Sequence, residues 1–294
     1  EGYQGSPAIG RHNPPMISAA SRYAQPQVRQ VFAAAARTLS QQQSSSSSSV
    51  LLGRRSFSKT SADTMSARVA LLLAGSGVYD GTELTEGVSC LVHLSRSGAD
   101  VKMFAPDKPQ MHVINHTNGE EMKGEERNVL VESARIARGD VTSLDECRAD
   151  DFDAIVVPGG FGAAKNLCDY AVKGADMTVD PLVEKTIQDF SAKNKVIGLS
   201  CIAPVIAARV LPGVKLTVGG EEEGSEQWPY AGTAGACVAM GATHEAKDYD
   251  GVCVDEEMKV VTAPAYMYAG KPHEIDDSLK AMIDTVMKLA TEGK

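Results

Sequence analysis

The chain has 294 residues, enough for one large domain or two small ones, and its 43% hydrophobic and 23% charged residues are ordinary for a globular protein. No apolar run reaches the roughly 18 residues of a membrane-spanning helix, which excludes such a span. The net charge of −9 is unevenly spread: residues 1–66 carry +5 and the other 228 carry −14, and a body that acidic repels phosphate backbones, which argues against nucleic acid as a partner.

The first segment reads as a targeting sequence. Residues 16–57 contain five Arg and no acid, and residues 28–40 mix Val, Phe and Ala with spaced Arg, as a helix with one basic and one apolar face would. An Arg-rich, Ser-rich, acid-poor leader is the mark of an organelle transit peptide, and the continuous apolar core of a secretory signal is missing. Arg55-Ser56-Phe57-Ser58 resembles a mitochondrial processing pattern, so a cut near Phe57–Ser58 is expected, with Met16 as a translation start. The six serines at 44–49 cannot contribute to a core. The expected organisation is a mitochondrial transit peptide and Ser-rich arm over 1–66 and a single domain over 67–294, located in the mitochondrial matrix. The six cysteines show no CxxC pair and are read as free thiols, mostly buried fillers.

The body alternates strand and helix patterns. Residues 68–74 form a continuous apolar run, as expected of a strand buried on both faces. After the glycine-rich turn at 75–81, residues 82–97 have helical spacing, with Leu84, Val88, Leu91 and Leu94 on the expected inner face and His93 on the surface. Gly98 ends that helix. Strands follow at 101–105, 152–157, 195–199, 216–218, 252–254 and 260–262. Helices are expected at 181–193, 202–210 and around Ile275, Leu279, Met282, Ile283, Val286 and Leu289. Residues 129–137 fit either a strand or an extended loop. This alternation predicts an α/β fold with a mostly parallel sheet covered by helices on both faces, and ligands bind such sheets at the carboxyl ends of the strands.

Three of those strand ends carry chemistry. Cys201 lies between a strand and a helix, where a sharp turn lifts a nucleophile above the sheet, although its residue type and position equally suit a buried structural thiol. Pro-Gly-Gly-Phe-Gly-Ala-Ala-Lys-Asn at 158–166 places paired glycines after a strand, where backbone N–H groups can face an oxyanion, with Lys165 as a nearby cation. Glu83 and Glu86 share one face at the start of the first helix, where acids also simply suit the helix dipole. Gly75-x-Gly77 lacks the remaining spacing of a dinucleotide fingerprint. His112 and His116, four apart, have no obvious third metal ligand. Glu221, Glu222 and Glu223 read as a solvated loop.

The segments at 158–166 and 198–204 (Gly-Leu-Ser-Cys-Ile-Ala-Pro) resemble the PfpI superfamily, whose fold is the flavodoxin-like, three-layer class I glutamine-amidotransferase type. Gly-Val-Tyr-Asp-Gly-Thr-Glu at 77–83, Phe-Ala-Pro-Asp-Lys at 104–108, Val-Ile-Asn-His at 113–116 and Thr-Ala-Pro-Ala-Tyr-Met at 262–267 narrow the resemblance to the bacterial glyoxalase ElbB and its animal mitochondrial counterparts. The resemblance implies Cys201 as nucleophile. It implies a carboxyl partner from the first strand–helix junction, with Glu83 preferred and Glu86 as the alternative. It also implies oxyanion or substrate contacts from Gly159, Gly160, Ile202 and Lys165. No metal and no cofactor are expected, and a homodimer is.

One departure limits the chemistry. Relatives with amidohydrolase or strong glyoxalase activity have His directly after the cysteine, and Ile202 stands there in this chain. His244 and His273 do not match that motif. Without a Cys-His-acid triad, acyl transfer from amides is disfavoured. Thiolate addition to a small dicarbonyl such as glyoxal, with glyoxalase or deglycase outcome, is the expected activity. A non-catalytic redox sensor built on an oxidisable Cys201 is the alternative.

Overall fold

A computed structural model describes residues 66–292. The transit segment expected over 1–66 lies, but for Ser66, outside the described residues. Within them, β1 (Arg68–Leu72), α1 (Leu84–Arg96), β2 (Asp100–Ala105), the short β3 (Ile114–Asn115) and β4 (Glu120–Glu121), and α2 (Val129–Ala137) form the first half. They are followed by β5 (Thr142–Ser143), β6 (Ala154–Val157), α3 (Phe161–Lys165), α4 (Tyr170–Lys173), α5 (Pro181–Ala192), β7 (Val196–Ser200) and α6 (Pro204–Val210). The last part contains β8 (Lys215–Leu216), α7 (Gly232–Ala239), β9 (Thr243–His244), β10 (Cys253–Asp255), β11 (Val260–Ala263) and α8 (Pro272–Thr291).

Seven strands form one sheet in the order β10-β11-β7-β6-β1-β2-β5, parallel throughout except for the antiparallel β10–β11 pair. Strands β6, β7 and β11 are buried along their whole length and β1 beyond Arg68, which is why they read as mostly apolar runs, broken only by Ser200 and Thr262, rather than as alternating ones. The chain runs from β1 outward through β2 to β5, then crosses to β6 on the other side of β1. That reversal opens a crevice between the loops after β1 and β6, the usual ligand position in a doubly wound sheet. The fold is the flavodoxin-like sandwich anticipated above. The strand expected near 216 exists, but as β8 it pairs with β9 outside the main sheet.

Two local expectations are corrected. Residues 129–137 form the helix α2: the Asn128 side chain caps it by accepting from the Val131 N–H at 3.0 Å, and Val129, Ser133, Ile136 and Ala137 are buried at helical spacing. The β-branched start of the segment suggested extension, but the cap and the buried stripe decide otherwise. The inner face of α1 is also not the apolar one. Leu84 and Val88 are exposed and Leu91 is half-buried, whereas Glu86, Gly87, Ser89, Cys90, His93 and Leu94 are buried. His93 lies against α8, its Nε2 3.0 Å from Asp276 Oδ1, and so is not a surface residue. The cause is tertiary: α1 packs against both β2 and α8, which itself lies on β7 and β11, and the side of α1 turned inward carries Glu86 to the crevice.

Candidate active site

The loop after β1 folds back on itself to form one wall of the crevice. The Ala74 N–H donates to Thr82 Oγ1 at 2.8 Å, and Asn166 Nδ2 donates to the carbonyls of Ala74 and Asp80, both at 2.9 Å. Gly81 is required there, because a Cβ would fall 2.2 Å from the Ser76 nitrogen. Gly81 therefore serves a self-packed turn.

Cys201 follows β7 directly and takes a left-handed backbone conformation, with φ of 58°. A non-glycine residue held there stores roughly 1–3 kcal/mol of strain, and the surroundings enforce it. The Cys201 N–H donates to the Ala263 carbonyl at 3.0 Å, the Ala203 N–H closes a turn onto Ser200, and Pro204 opens α6. The thiol lines a small pocket. The backbone N–H groups of Gly160 and Ile202 both donate to its sulfur, and the Glu86 carboxyl is bonded to it as well.

Glu86 is fully buried. Its Oε2 accepts from the Gly159 N–H at 2.8 Å and from the Ser200 hydroxyl at 3.1 Å, while the Tyr266 N–H reaches Oε1 at 3.4 Å. Burial, reinforced by the charge of Glu83, pushes its carboxyl up to about 7. Burial and the Glu86 charge also push the Cys201 thiol up, against the lowering effect of the two N–H donors. The pair is thus arranged to hand one proton between sulfur and carboxyl.

The sequence-derived site residues fall into place unevenly. Glu86, the alternative, is the carboxyl bonded to Cys201. Glu83, the preferred choice, is the N-cap of α1, accepting from the Glu86 N–H at 2.8 Å, and it lines the pocket one step removed from the sulfur. The run Gly-Val-Tyr-Asp-Gly-Thr-Glu at 77–83 ends on the capping residue, while the residue three further on points inward. Burial raises the Glu83 carboxyl too. Gly160 and Ile202 reach the sulfur, but Gly159 does not act as an oxyanion donor, because Glu86 takes its N–H. Gly159 is instead a steric necessity: a Cβ there would lie 2.5 Å from Cys201 Cβ and 3.0 Å from its sulfur.

Lys165 is not at the cysteine. Its Nζ donates to the Tyr79 carbonyl at 2.8 Å, and it lines a neighbouring cavity. The first turn of α3 carries it past the pocket, whose wall is formed by Phe161.

The rest of the pocket wall comes from Val78, Phe161, Tyr230, Tyr266 and Met267. Tyr266 and Met267 belong to the motif at 262–267, so the sequence contained a pointer to them; Tyr230 carried none. Among the described residues no histidine lines the pocket. Each ring nitrogen of His116 has a partner, Nδ1 at 3.0 Å from the Ile114 carbonyl and Nε2 accepting from the Tyr79 N–H at 3.2 Å. His244 Nε2 accepts from the Val218 N–H at 3.0 Å, and its Nδ1 pairs with Glu221 at 2.7 Å. Among the described residues no group of three or more His, Cys, Asp or Glu is placed to hold a metal ion.

A cysteine on a strained strand-to-helix turn, two backbone donors and a buried carboxyl at the switch point of a parallel sheet define a class of α/β proteins with a cysteine elbow. The chain belongs to the DJ-1/PfpI family, whose model matches residues 67–266. It is 53% identical over 236 residues to the rat "ES1 protein homolog, mitochondrial", covering 80% of this chain and 89% of that one. To the human "Glutamine amidotransferase-like class 1 domain-containing protein 3, mitochondrial" it is also 53% identical, covering 80% of this chain and 88% of that one. Among solved structures it resembles an isoprenoid biosynthesis protein with an amidotransferase-like domain from Ehrlichia chaffeensis, with a TM-score of 0.68 and 31% identity, over 76% of this chain and 99% of that one. The protein is mitochondrial, like the rat and human relatives.

Proposed function

We propose that the protein is a cofactor-independent enzyme of the mitochondrial matrix that converts small dicarbonyls such as glyoxal to the hydroxy acid through Cys201, with deglycase action on early dicarbonyl adducts as a related outcome. The observation that carries this reading is the Glu86–Cys201 hydrogen bond beneath an open pocket. As the sulfur bonds to one carbonyl carbon, the thiol proton passes to Glu86, and the resulting alkoxide lies beside the N–H groups of Gly160 and Ile202. Protonation gives a hemithioacetal. Glu86 then removes the proton from the sulfur-bearing carbon, forming an enediol, and returns a proton to the other carbon. One carbon is oxidised and the other reduced, so no external electron carrier is needed. Water cleaves the thioester to glycolate and restores the thiol.

A carboxyl lifted to about 7 is matched to this two-way proton transfer near neutral pH. Ile202 rather than histidine follows Cys201, and among the described residues no histidine lines the pocket, which supports a slow enzyme, since a positioned acid/base generally contributes roughly 10²–10⁴-fold. Incubation of the full chain with glyoxal, with glycolate followed by proton NMR, tests the reading; no glycolate from glyoxal or any small dicarbonyl refutes it.

The alternative, a redox sensor, is favoured by one feature of the same site. The Gly160 and Ile202 N–H groups and a protonated Glu86 could hold the oxygens of an oxidised Cys201. Ready oxidation of Cys201 by peroxide in a protein that turns over no dicarbonyl would select it.

A second copy of the chain is the proposed partner. Leu84, Val88 and Val92 form an exposed apolar stripe on α1, on the opposite side from Glu86.

A further inference from the structure

Beside the Cys201 pocket lies a larger cavity. Phe161 lines both, and the neighbours Val78 and Tyr79 line one each. Phe161 is therefore a wall common to both spaces.

The two cavities differ in charge. Among the described residues, the only ionisable groups of the Cys201 pocket besides the thiol and its tyrosines are Glu83 and Glu86, and no cation lines it. The second cavity is balanced, with Lys123 and Lys165 against Glu120 and Glu121, and His112 between them in type. Lys165 is only 8% exposed. Its Nζ lies 5.4 Å from the Phe161 ring centroid and spends one donor on the Tyr79 carbonyl, which leaves two of its three N–H groups. Among the described residues it forms no ion pair within 4.0 Å, although Asp80 and Glu121 act on it at longer range. A half-satisfied ammonium at the inner end of a cavity calls for an anionic oxygen.

The outer end has the opposite character. Glu120 and Glu121 are exposed on the β3–β4 hairpin. That hairpin is held in place by the Ile114 N–H, which donates to the buried Asp80 carboxylate at 2.8 Å, and by the His116 bond to Tyr79. Two carboxylates at the mouth disfavour a multiply charged anion such as phosphate and suit a ligand that also carries an amine.

We infer that the second cavity holds the amino-acid portion of a substrate whose dicarbonyl-derived carbons lie at Cys201, with its carboxylate at Lys165 and its amine toward Glu120 and Glu121. This rests on the reading of Cys201 as reactive toward small dicarbonyls, and it selects their adducts on free amino acids as the substrate class.

Binding to the full chain carrying Cys201→Ala, measured by calorimetry, tests the inference without turnover. N-(2-hydroxyethyl)glycine carries a two-carbon hydroxy arm on a zwitterionic amino acid; N-(2-hydroxyethyl)acetamide is its uncharged counterpart. The first should bind at least 10-fold more tightly, and Lys165→Met should remove that preference. Glu121→Gln, at an exposed position where misfolding is not at issue, should weaken the zwitterion several-fold and leave the acetamide unchanged. Equal binding of the two probes, or a preference that survives both substitutions, overturns the inference, as does tighter binding of inorganic phosphate than of the zwitterion. Glyoxal turnover by the wild type, measured in parallel, separates the two readings: selective binding without turnover removes the role of Cys201 and keeps the cavity, whereas turnover without selective binding does the reverse.

Discussion

The Glu86 carboxyl, carried on the inward side of α1, is hydrogen-bonded to the Cys201 thiol at the end of β7, and both groups are almost wholly withdrawn from water. Neither is held by the other alone. Glu86 is fixed by Gly159 and Ser200, and Cys201 by a strained backbone turn with two N–H groups aimed at its sulfur. The geometry is prepared before any ligand arrives, which is what electrostatic preorganisation requires.

The thiol is the first target. Cys201→Ala should abolish glycolate formation from glyoxal while the protein keeps a cooperative thermal transition. The side chain borders a pocket rather than filling the core, so its removal leaves no sealed cavity of the kind that costs several kcal/mol. NMR of the product and circular dichroism of the variant check the two halves of the prediction.

The two carboxyls should separate cleanly. Glu86→Gln keeps the size of the side chain but cannot take the thiol proton, and turnover should fall by roughly 10²-fold or more. Glu83→Gln retains an acceptor for the cap on α1 and should reduce turnover far less. Steady-state kcat for both variants decides, and the reverse order would transfer the proton-relay role to Glu83.

Stability should carry the signature of Glu86. Its carboxyl lies near 4.5 when unfolded and is raised to about 7 in the folded protein. Between those values the native state keeps a proton that the unfolded chain has released. The contribution is therefore complete below about pH 4.5 and is lost as pH rises through about 7, a loss of roughly 3 kcal/mol over the window. Calorimetric midpoints at pH 5 and pH 8 should drop by more in the wild type than in Glu86→Gln. Parallel drops would show that another group is responsible.

Gly159→Ala should inactivate the enzyme more than its single methyl suggests. That methyl would be driven into Cys201 and to within 2.9 Å of Glu86 Oε2, so the site must open to admit it. Loss of turnover with a lowered thermal midpoint is expected. By contrast, Gly235→Ala in α7, where an added Cβ meets nothing within 4 Å, should leave both unchanged.

The proposed homodimer is tested at the stripe on α1. Val88→Lys with Leu84→Gln, both at exposed positions, should shift the sedimentation coefficient from dimer to monomer without unfolding the chain. A wild type that sediments as a monomer removes the proposal.

The sequence by itself determined the fold class and most of the site's cast. Runs such as 154–157 and 196–199 carry no polar side chain because both faces of a parallel strand are covered, and that pattern survives without knowledge of neighbours. The motifs at 158–166 and 198–204 likewise located Cys201, Gly160 and Ile202, since a strand end followed by glycines or by a cysteine elbow is a local feature. What the sequence left open was direction. Glu83 and Glu86 are equally acidic and lie on one helical face, and only the packing of α1 against the sheet and α8 decided that Glu86 points to the sulfur while Glu83 caps the helix. The same packing turned Leu84 and Val88 outward and buried His93 against Asp276, because the helix orients to satisfy the buried carboxyl and its hydrogen-bond donors rather than its own most apolar stripe. Lys165 was legible as a cation near the glycines, but which cavity it faces depends on the turn of α3 past Phe161, a choice made by contacts with Tyr79 that are distant in the chain.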